Sequence, residues 1–523
     1  MKSYALSCEV TTSERLTLDY IKYADRLKHR FPKSYKNPNP RKCKVDRRAI
    51  VDRLLEYNKK IDAPKPVIQN IQALLQPETY AVITGQQPGL FSGPLYTIYK
   101  AVSTLIICER LSSRKQLLVP IFWNASEDHD LPEIDHITMF RRNEPFRIRY
   151  DSVLKDVALS HMSLDKPELN KMLATVKEIS PSTEFKAPLL KEAEGIIEKS
   201  STIGDFFSRF MIHLFGEWGL VMVEPHYFRD LMIPIFDKLI RCPTKCTQLL
   251  EEAGSKLKEL GYPPRIHKKS GICNFFLLDE DGKRLQVTHN REFHAGSTAY
   301  SQGELLNLLH ESPHRFSANA LTRPITQDLL FPTFAYVAGP SEIAYQAQLK
   351  EIYDFFSIEM PVIFPRFGAT IIEKKVSKVI RKYGLEVHEL KSPERLLKKM
   401  AREKIDGVFN SLKIDISRSL AEVTRKAESI DESLAASCSL AKGRIIKTIE
   451  GLEDKIASKL KEQNLASRRQ ITKAHINVFP YGHLQEREVN VLEYLIKFGK
   501  EFLRVAYRSF LEADYGEHRV IKC

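Results

Sequence analysis

The chain has 523 residues, 43% of them apolar and 28% charged, enough to bury two or three ordinary cores. No run of about 18 apolar residues occurs, so no membrane span is expected. The net charge of +14 invites a nucleic-acid reading, but residues 391–475 alone hold 19 Lys and Arg against 12 Asp and Glu, half of the excess.

A solvated basic helical face explains that segment, and no Arg/Gly or Lys/aromatic tract accompanies it, so a nucleic-acid partner is not expected. The opening MKSYALSCEVTTSERL lacks the apolar stretch of a secretory leader, and eight scattered cysteines suit a reducing compartment; both point to the cytoplasm. Cys242 and Cys246 have CxxxC spacing, but no second pair follows at zinc-site distance.

Residues 45–60 read as a helix with Ile50, Val51, Leu54 and Leu55 on one side. Pro64 and Pro66 interrupt, and a short helix follows with Ile68, Ile71, Leu74 and Leu75. YAVITG is a buried strand ending in glycine. After the loop TGQQPGLFSGP, the stretch PLYTIYKAVSTLIICERL is apolar on most faces and predicts a buried helix with Pro94 in its first turn. QLLVPIFW is a second buried strand, completing a βαβ unit and implying a parallel sheet.

The same pattern returns late. FPTFAYVAG is a strand, PSEIAYQAQLKEIYDFF an amphipathic helix and MPVIFPR another strand. The economical arrangement is an α/β parallel-sheet core over 1–390, interrupted by an insertion at about 140–320. The insertion is expected to contain WGLVMVEP as a further strand, and a hairpin in ICNFFLLDEDGKRLQVTH.

Over 394–479 there is no proline, and apolar residues recur every three or four positions from Ile405 through Phe409, Leu412, Val423 and Ile430 to Leu460. The narrow stripe with charged flanks is a coiled-coil seam. An antiparallel helical hairpin over 391–475 follows, with its tip near 429–432 and Asp431 capping the second helix. Residues 476–523 turn at Pro480 and return to the core as helices.

Three stretches carry candidate chemistry. In TGQQPGLFSGP, Gly85, Gly89 and Gly93 let the backbone approach a ligand, while Gln86 and Gln87 offer donors and acceptors at a strand end. Tyr96 and Lys100 follow on the helix, whose N-terminus favours anions. In NASEDHDLPEID, Asn124 and Glu127 are candidate ligand contacts, and Asp128, His129 and Asp130 crowd acids around an imidazole, as a catalytic acid or base needs. In the third, Arg323, Gln327 and Asp328 precede the late strand, and Gly339, Glu342, Tyr345 and Gln348 follow it. No metal-ligand spacing accompanies these residues. His310, His314, His475 and His483 have no partner pattern.

At these stretches the sequence resembles the bacillithiol biosynthesis cysteine-adding enzymes (BshC). The resemblance lies in TGQQPGLFSGPLYTIYK, VPIFWNASEDHDLPEIDHI, RPITQDLLFPTFAYVAGPSEIAYQAQLKEIY, MPVIFPR and the late LQEREVNVLEYLIKFG. It implies a Rossmann-like core related to nucleotidylyltransferases and class I aminoacyl-tRNA synthetases, with a long coiled coil associated with homodimerisation. It also implies a reaction joining the carboxyl of cysteine to the amine of glucosaminyl malate. A carboxylate does not acylate an amine without activation, so ATP with Mg is the expected activator. The loop 85–93 with its helix N-terminus is then expected to hold phosphate or carboxylate, and one of Asp128, His129 or Asp130 to deprotonate the amine or bind a metal. The chain lacks a plain HxGH or KMSKS motif; FSGPLY and EKKVSK occupy comparable places by analogy alone. Competing expectations are a tRNA-linked enzyme and a coiled-coil scaffold.

Overall fold

The structure is a computed structural model that describes residues 2–6, 12, 14–127, 134–151, 157–463 and 465–523. It divides into two compact units, Met1–Ile371 with Leu484–Cys523, and Ile372–His483.

The first unit is built around a parallel sheet of five strands: β1 (Thr79–Gln86), β2 (Leu117–Asn124), β3 (Val221–Val223), β4 (Thr333–Ala338) and β5 (Val362–Pro365). The spatial order is β5-β4-β1-β2-β3, and every neighbouring pair is parallel. The β1–β2 register runs from Thr79 opposite Leu117 to Gln86 opposite Asn124. These strands are apolar runs because helices cover both faces of such a sheet; Ala81, Val82 and Ile83 are fully buried. The helix α1 (Leu95–Leu111) joins β1 to β2 and is buried along almost its whole length. This is the expected Rossmann-like α/β core.

Two local expectations change. WGLVMVEP was expected as a strand belonging to the insertion; Val221–Val223 instead forms the edge of the core sheet beside β2. The expected helix over PSEIAYQAQLKEIYDFF breaks into α3 (Pro340–Gln346) and a second helix, Lys350–Phe356. Gln348 sits at the break and commits its amide to backbone, accepting from Arg265 and Ile266 N–H at 2.7 and 2.8 Å and donating to Ile266 O.

Between β2 and β4 lies an antiparallel sheet whose strands, in spatial order, are Thr298–Tyr300, Glu292–Ala295, Arg284–Asn290, Ile272–Leu278 and Phe316–Ala318. The hairpin at its centre turns on DEDGK: Asp279 accepts from the N–H groups of Asp281 and Lys283, and Gly282 takes φ 82°. The helix α2 (Arg323–Leu330) leads from this insertion into β4.

The second unit is helical. Its two long helices are α4 (Asp406–Glu428) and α5 (Leu434–Gln463), followed by α6 (Leu465–Val478). Lys413 pairs with Glu453 at 2.6 Å and Lys398 with Asp454 at 3.3 Å, so residues before the tip meet residues after it and the hairpin is antiparallel. Asp431 accepts from Ser433 N–H at 2.8 Å in the connection. This unit also takes in 372–390, which the sequence reading leaves with the core, because Lys374–Tyr383 packs as a helix of the same unit.

Candidate active site

The carboxyl ends of β1, β2, β4 and β5 open onto one cavity of about 610 Å³, the place where ligands collect in parallel sheets. At the end of β1, Gly85 packs so closely on β2 that a Cβ would lie 3.0 Å from Trp123 O. Gln86 follows; its Nε2 donates to Tyr96 OH at 3.2 Å and its Oε1 accepts from Lys100 Nζ at 3.0 Å. Lys100, two turns into α1 and buried, also donates to Gly85 O at 2.8 Å and pairs with Glu342 Oε2 at 2.6 Å. All three ammonium protons thus have acceptors.

Glu342 stands in the first turn of α3. Gly339 N–H donates to its Oε2 at 2.8 Å and Tyr336 OH to its Oε1 at 2.7 Å. Burial pushes the carboxyl up, but the Lys100 ammonium and these donors outweigh it and hold Glu342 below the usual carboxylate range. Arg323, at the start of α2, lies 3.4 Å from the hydroxyls of both Tyr336 and Tyr345, and donates to Gln327 at 3.1 Å. Its hydrogen-bond partners are neutral. Arg366, just past β5, is held by Glu486 with Nη2 at 2.6 Å and Nη1 at 3.3 Å.

The facing wall comes from the insertion. Glu127 pairs with the buried Arg229 at 2.5 Å and accepts from Ser317 at 3.3 Å. Lys268, Phe276, Arg284 and Asn319 complete this side, with the Arg284 guanidinium 4.1 Å over the Phe276 ring. Cations outnumber carboxylates in the lining, which suits an anionic ligand.

Of the residues singled out by sequence, Gly85, Gln86, Gln87, Tyr96, Lys100, Glu127, Arg323, Gly339, Glu342 and Tyr345 line this cavity. Six others do not. Gly89 and Gly93 shape a tight turn, in which a Cβ on Gly89 would lie 2.7 Å from Gly93 Cα. Asn124 is buried and donates to Gly204 O, Ser208 and Glu224. Gln327 and Asp328 stand behind Arg323: Gln327 donates to Asp328 at 3.0 Å, and Asp328 accepts from Tyr353 OH at 2.6 Å. Gln348 is tied to the Arg265–Ile266 backbone as described. At the N-terminus of α1, Leu95 N–H donates to Val489 O at 2.9 Å. Asp128, His129 and Asp130 lie outside the described residues. Among the described residues no group of three or more His, Cys, Asp and Glu side chains is placed to hold a metal ion.

The comparison with known proteins decides the family. Residues 1–367 match the model of the bacillithiol biosynthesis BshC N-terminal Rossmann-like domain, and 369–523 that of the BshC C-terminal coiled-coil domain. The chain belongs to the BshC family.

A BshC relative from Salinibacter ruber, named "Putative cysteine ligase BshC", is 32% identical over 527 residues, covering 97% of this chain and 96% of its own. Relatives of the same name from Bacillus cereus and Bacillus cytotoxicus are each 32% identical over 521 and 499 residues, covering 95% and 92% of their own lengths. BshC membership thus spans both units. Sequence reasoning missed Arg366, Tyr336, Lys268, Arg284 and Arg487. Arg366 and Tyr336 fall within the quoted MPVIFPR and FAYVAG runs, where a polar residue in or just after a buried strand was the available signal. Arg487 falls within the quoted LQEREVNVLEYLIKFG, while Lys268 and Arg284 lie in no motif that marks a site, and only folding brings them to the cavity.

Proposed function

We propose that this chain is a cysteine ligase of bacillithiol biosynthesis, forming an amide between the carboxyl of cysteine and the amine of glucosaminyl malate. The observation that carries the reading is the cationic cavity at the strand ends, with Lys100, Arg323 and Arg366 on one wall and Lys268 and Arg284 on the other. Both substrates are carboxylates, and the acceptor carries two acid groups on its malate. The ligase names of the full-length relatives support the same reading.

In this mechanism Arg323 holds carboxylate oxygens and Lys100 fixes the Gln86 amide beside them, while Gln86 and Gln87 orient the substrates by donating and accepting. ATP with Mg would supply the activation by turning the carboxylate oxygen into a leaving group, and the lining cations fit its phosphates. The attacking amine must be neutral, so a base must take its proton. Asp128, His129 and Asp130, which follow Glu127 directly in the chain, are the proposed source. The reaction is placed in the cytoplasm, which agrees with free thiols at Cys43, Cys108, Cys242, Cys246, Cys273 and Cys438. Among the described residues no helix is long and apolar enough to cross a membrane. We propose a homodimer through the helical unit, because Leu412, Val423, Ile430 and Leu434 of the seam are exposed in the single chain.

The test is one incubation of purified protein with cysteine and glucosaminyl malate, with and without ATP and Mg, read by thiol labelling and mass detection. Product at the mass of bacillithiol is expected only with ATP. No product in either tube, from folded protein, overturns the ligase reading; product without ATP overturns the activation step. A His129→Ala variant with full turnover would remove that residue as the base.

A further inference from the structure

The late stretch LQEREVN lies far in sequence from the strands of the core and contributes Arg487 to the cavity lining. Several of its other polar groups are engaged with neighbouring segments. Gln485 exchanges two hydrogen bonds with the Ile371 backbone, at 2.8 and 3.1 Å. Glu486 holds Arg366 and accepts from Ala369 N–H at 3.1 Å. Val489 O caps α1 through Leu95 N–H, and Asn490 N–H donates to Thr138 O.

The Asn490 side chain has the most unusual environment. It is buried, and its Nδ2 lies within hydrogen-bond distance of three carbonyls: Gly93 O at 2.8 Å, Phe91 O at 3.1 Å and Leu90 O at 3.3 Å. Its Oδ1 accepts from Leu492 N–H at 3.0 Å, which fixes the amide orientation. The carbonyls belong to a turn with three consecutive positive φ values: Phe91 at 48°, Ser92 at 74° and Gly93 at 69°. Two of these residues carry side chains, which disfavour that conformation unless the surroundings impose it. Phe91 is wedged edge-on against Phe206 and Phe210, with centroids 5.2 and 5.9 Å away. The turn separates Gln86 and Gln87, on β1 and just past it, from Tyr96 and Lys100 on α1. Its shape therefore sets whether Lys100 and Tyr96 meet the Gln86 amide at 3.0 and 3.2 Å.

We propose that Asn490 is a positioning residue: it clamps the left-handed turn at 90–93 and thereby holds the glutamine and lysine wall of the cavity in register. The activity arm of the test rests on the ligase reading; the exchange arm does not. Ser92 supplies a direct probe, because its buried Oγ has no hydrogen-bond partner among the described residues and glycine adopts its φ without steric cost.

The experiment compares full-length wild type, N490A, N490A/S92G and the milder N490S by hydrogen–deuterium exchange and by steady-state kinetics. In N490A, exchange over 90–100 is expected to rise about tenfold while peptides of β4 and β5 keep wild-type protection, and kcat to fall about tenfold with KM nearly unchanged. Adding S92G should restore about threefold of the lost kcat and part of the local protection, because the turn then needs less clamping. If N490A does not fold, N490S carries the same comparison with a smaller expected effect. Wild-type exchange at 90–100 in the variant, or a uniform loss of protection across the sheet that S92G does not relieve, overturns the clamp. If wild type forms no product, the ligase reading fails by itself and the exchange comparison still decides the clamp.

Discussion

Lys100 Nζ lies 2.6 Å from Glu342 Oε2, which ties the helix after β1 to the helix after β4 across the mouth of the sheet. The pair is enclosed on the protein side and faces the cavity on the other. Its geometry places one fixed cation and one fixed anion where β1 and β4, adjacent in the sheet, both end.

Glu342→Gln leaves the buried Lys100 ammonium without its counter-charge. Equilibrium unfolding in urea is expected to show a loss of about 3 kcal/mol. K100M/E342Q removes both charges and should recover much of that loss while remaining inactive. An E342Q protein as stable as wild type would show that the pair carries no net structural load.

Gly89→Ala places a Cβ 2.7 Å from Gly93 Cα, and a backbone atom cannot swing away. The φ of Gly89, −70°, is ordinary, so the effect is steric alone. A stability cost of about 1–3 kcal/mol is expected, together with loss of ligation. Gly195→Ala, at an exposed position of the helix Lys186–Lys199 with nothing within 4 Å of the new Cβ, is the matched control and should not destabilise.

Gly443 and Gly451 lie inside α5 with open space around the position of a Cβ. Replacing either with alanine should stabilise the helical unit by about 1 kcal/mol, read as a shifted melting transition. A neutral or destabilising result at both positions would mean that these glycines pack against something in the assembled protein, as a homodimer interface there would require.

His518 is buried and shares a 2.8 Å hydrogen bond with Thr370 Oγ1. Burial pulls its pKa down to about 4, against the pull of nearby Glu486 and with the help of Arg366. The folded protein thus binds fewer protons here than the unfolded chain between about pH 6.5 and pH 4. The stability from the neutral ring is complete above about pH 6.5 and is lost as pH falls through about 4, at most about 3 kcal/mol. Urea unfolding at stepped pH should show this slope in wild type and lose it in His518→Gln. An unchanged slope in the variant would assign the acid sensitivity to other groups.

The strands 80–85, 116–123 and 331–339 were legible because a short, largely apolar run between loop and helix signals has few other stable fates. The helical hairpin was legible because its apolar stripe repeats without proline. WGLVMVEP was recognised as a strand but not as part of the core sheet, since local sequence does not encode which edge a strand joins. The break between α3 and the next helix was invisible because it depends on Gln348 finding the backbone of Arg265 and Ile266, more than eighty positions away in the chain.

The sequence by itself determined the element types, the split between a sheet core and a helical unit, and the stretches around the core strands that carry Gln86, Lys100, Arg323 and Glu342. These follow from periodicity and local steric preference, which act over a few residues. Only the tertiary structure decided that Gly89 and Gly93 form a tight turn off the cavity lining, and that Asn490 bonds to that turn. It alone brought Lys268 and Arg284 to face Lys100. Those relationships join residues separated by up to four hundred positions, and they exist only after chain folding makes distant backbone and side-chain groups each other's nearest hydrogen-bond and charge partners.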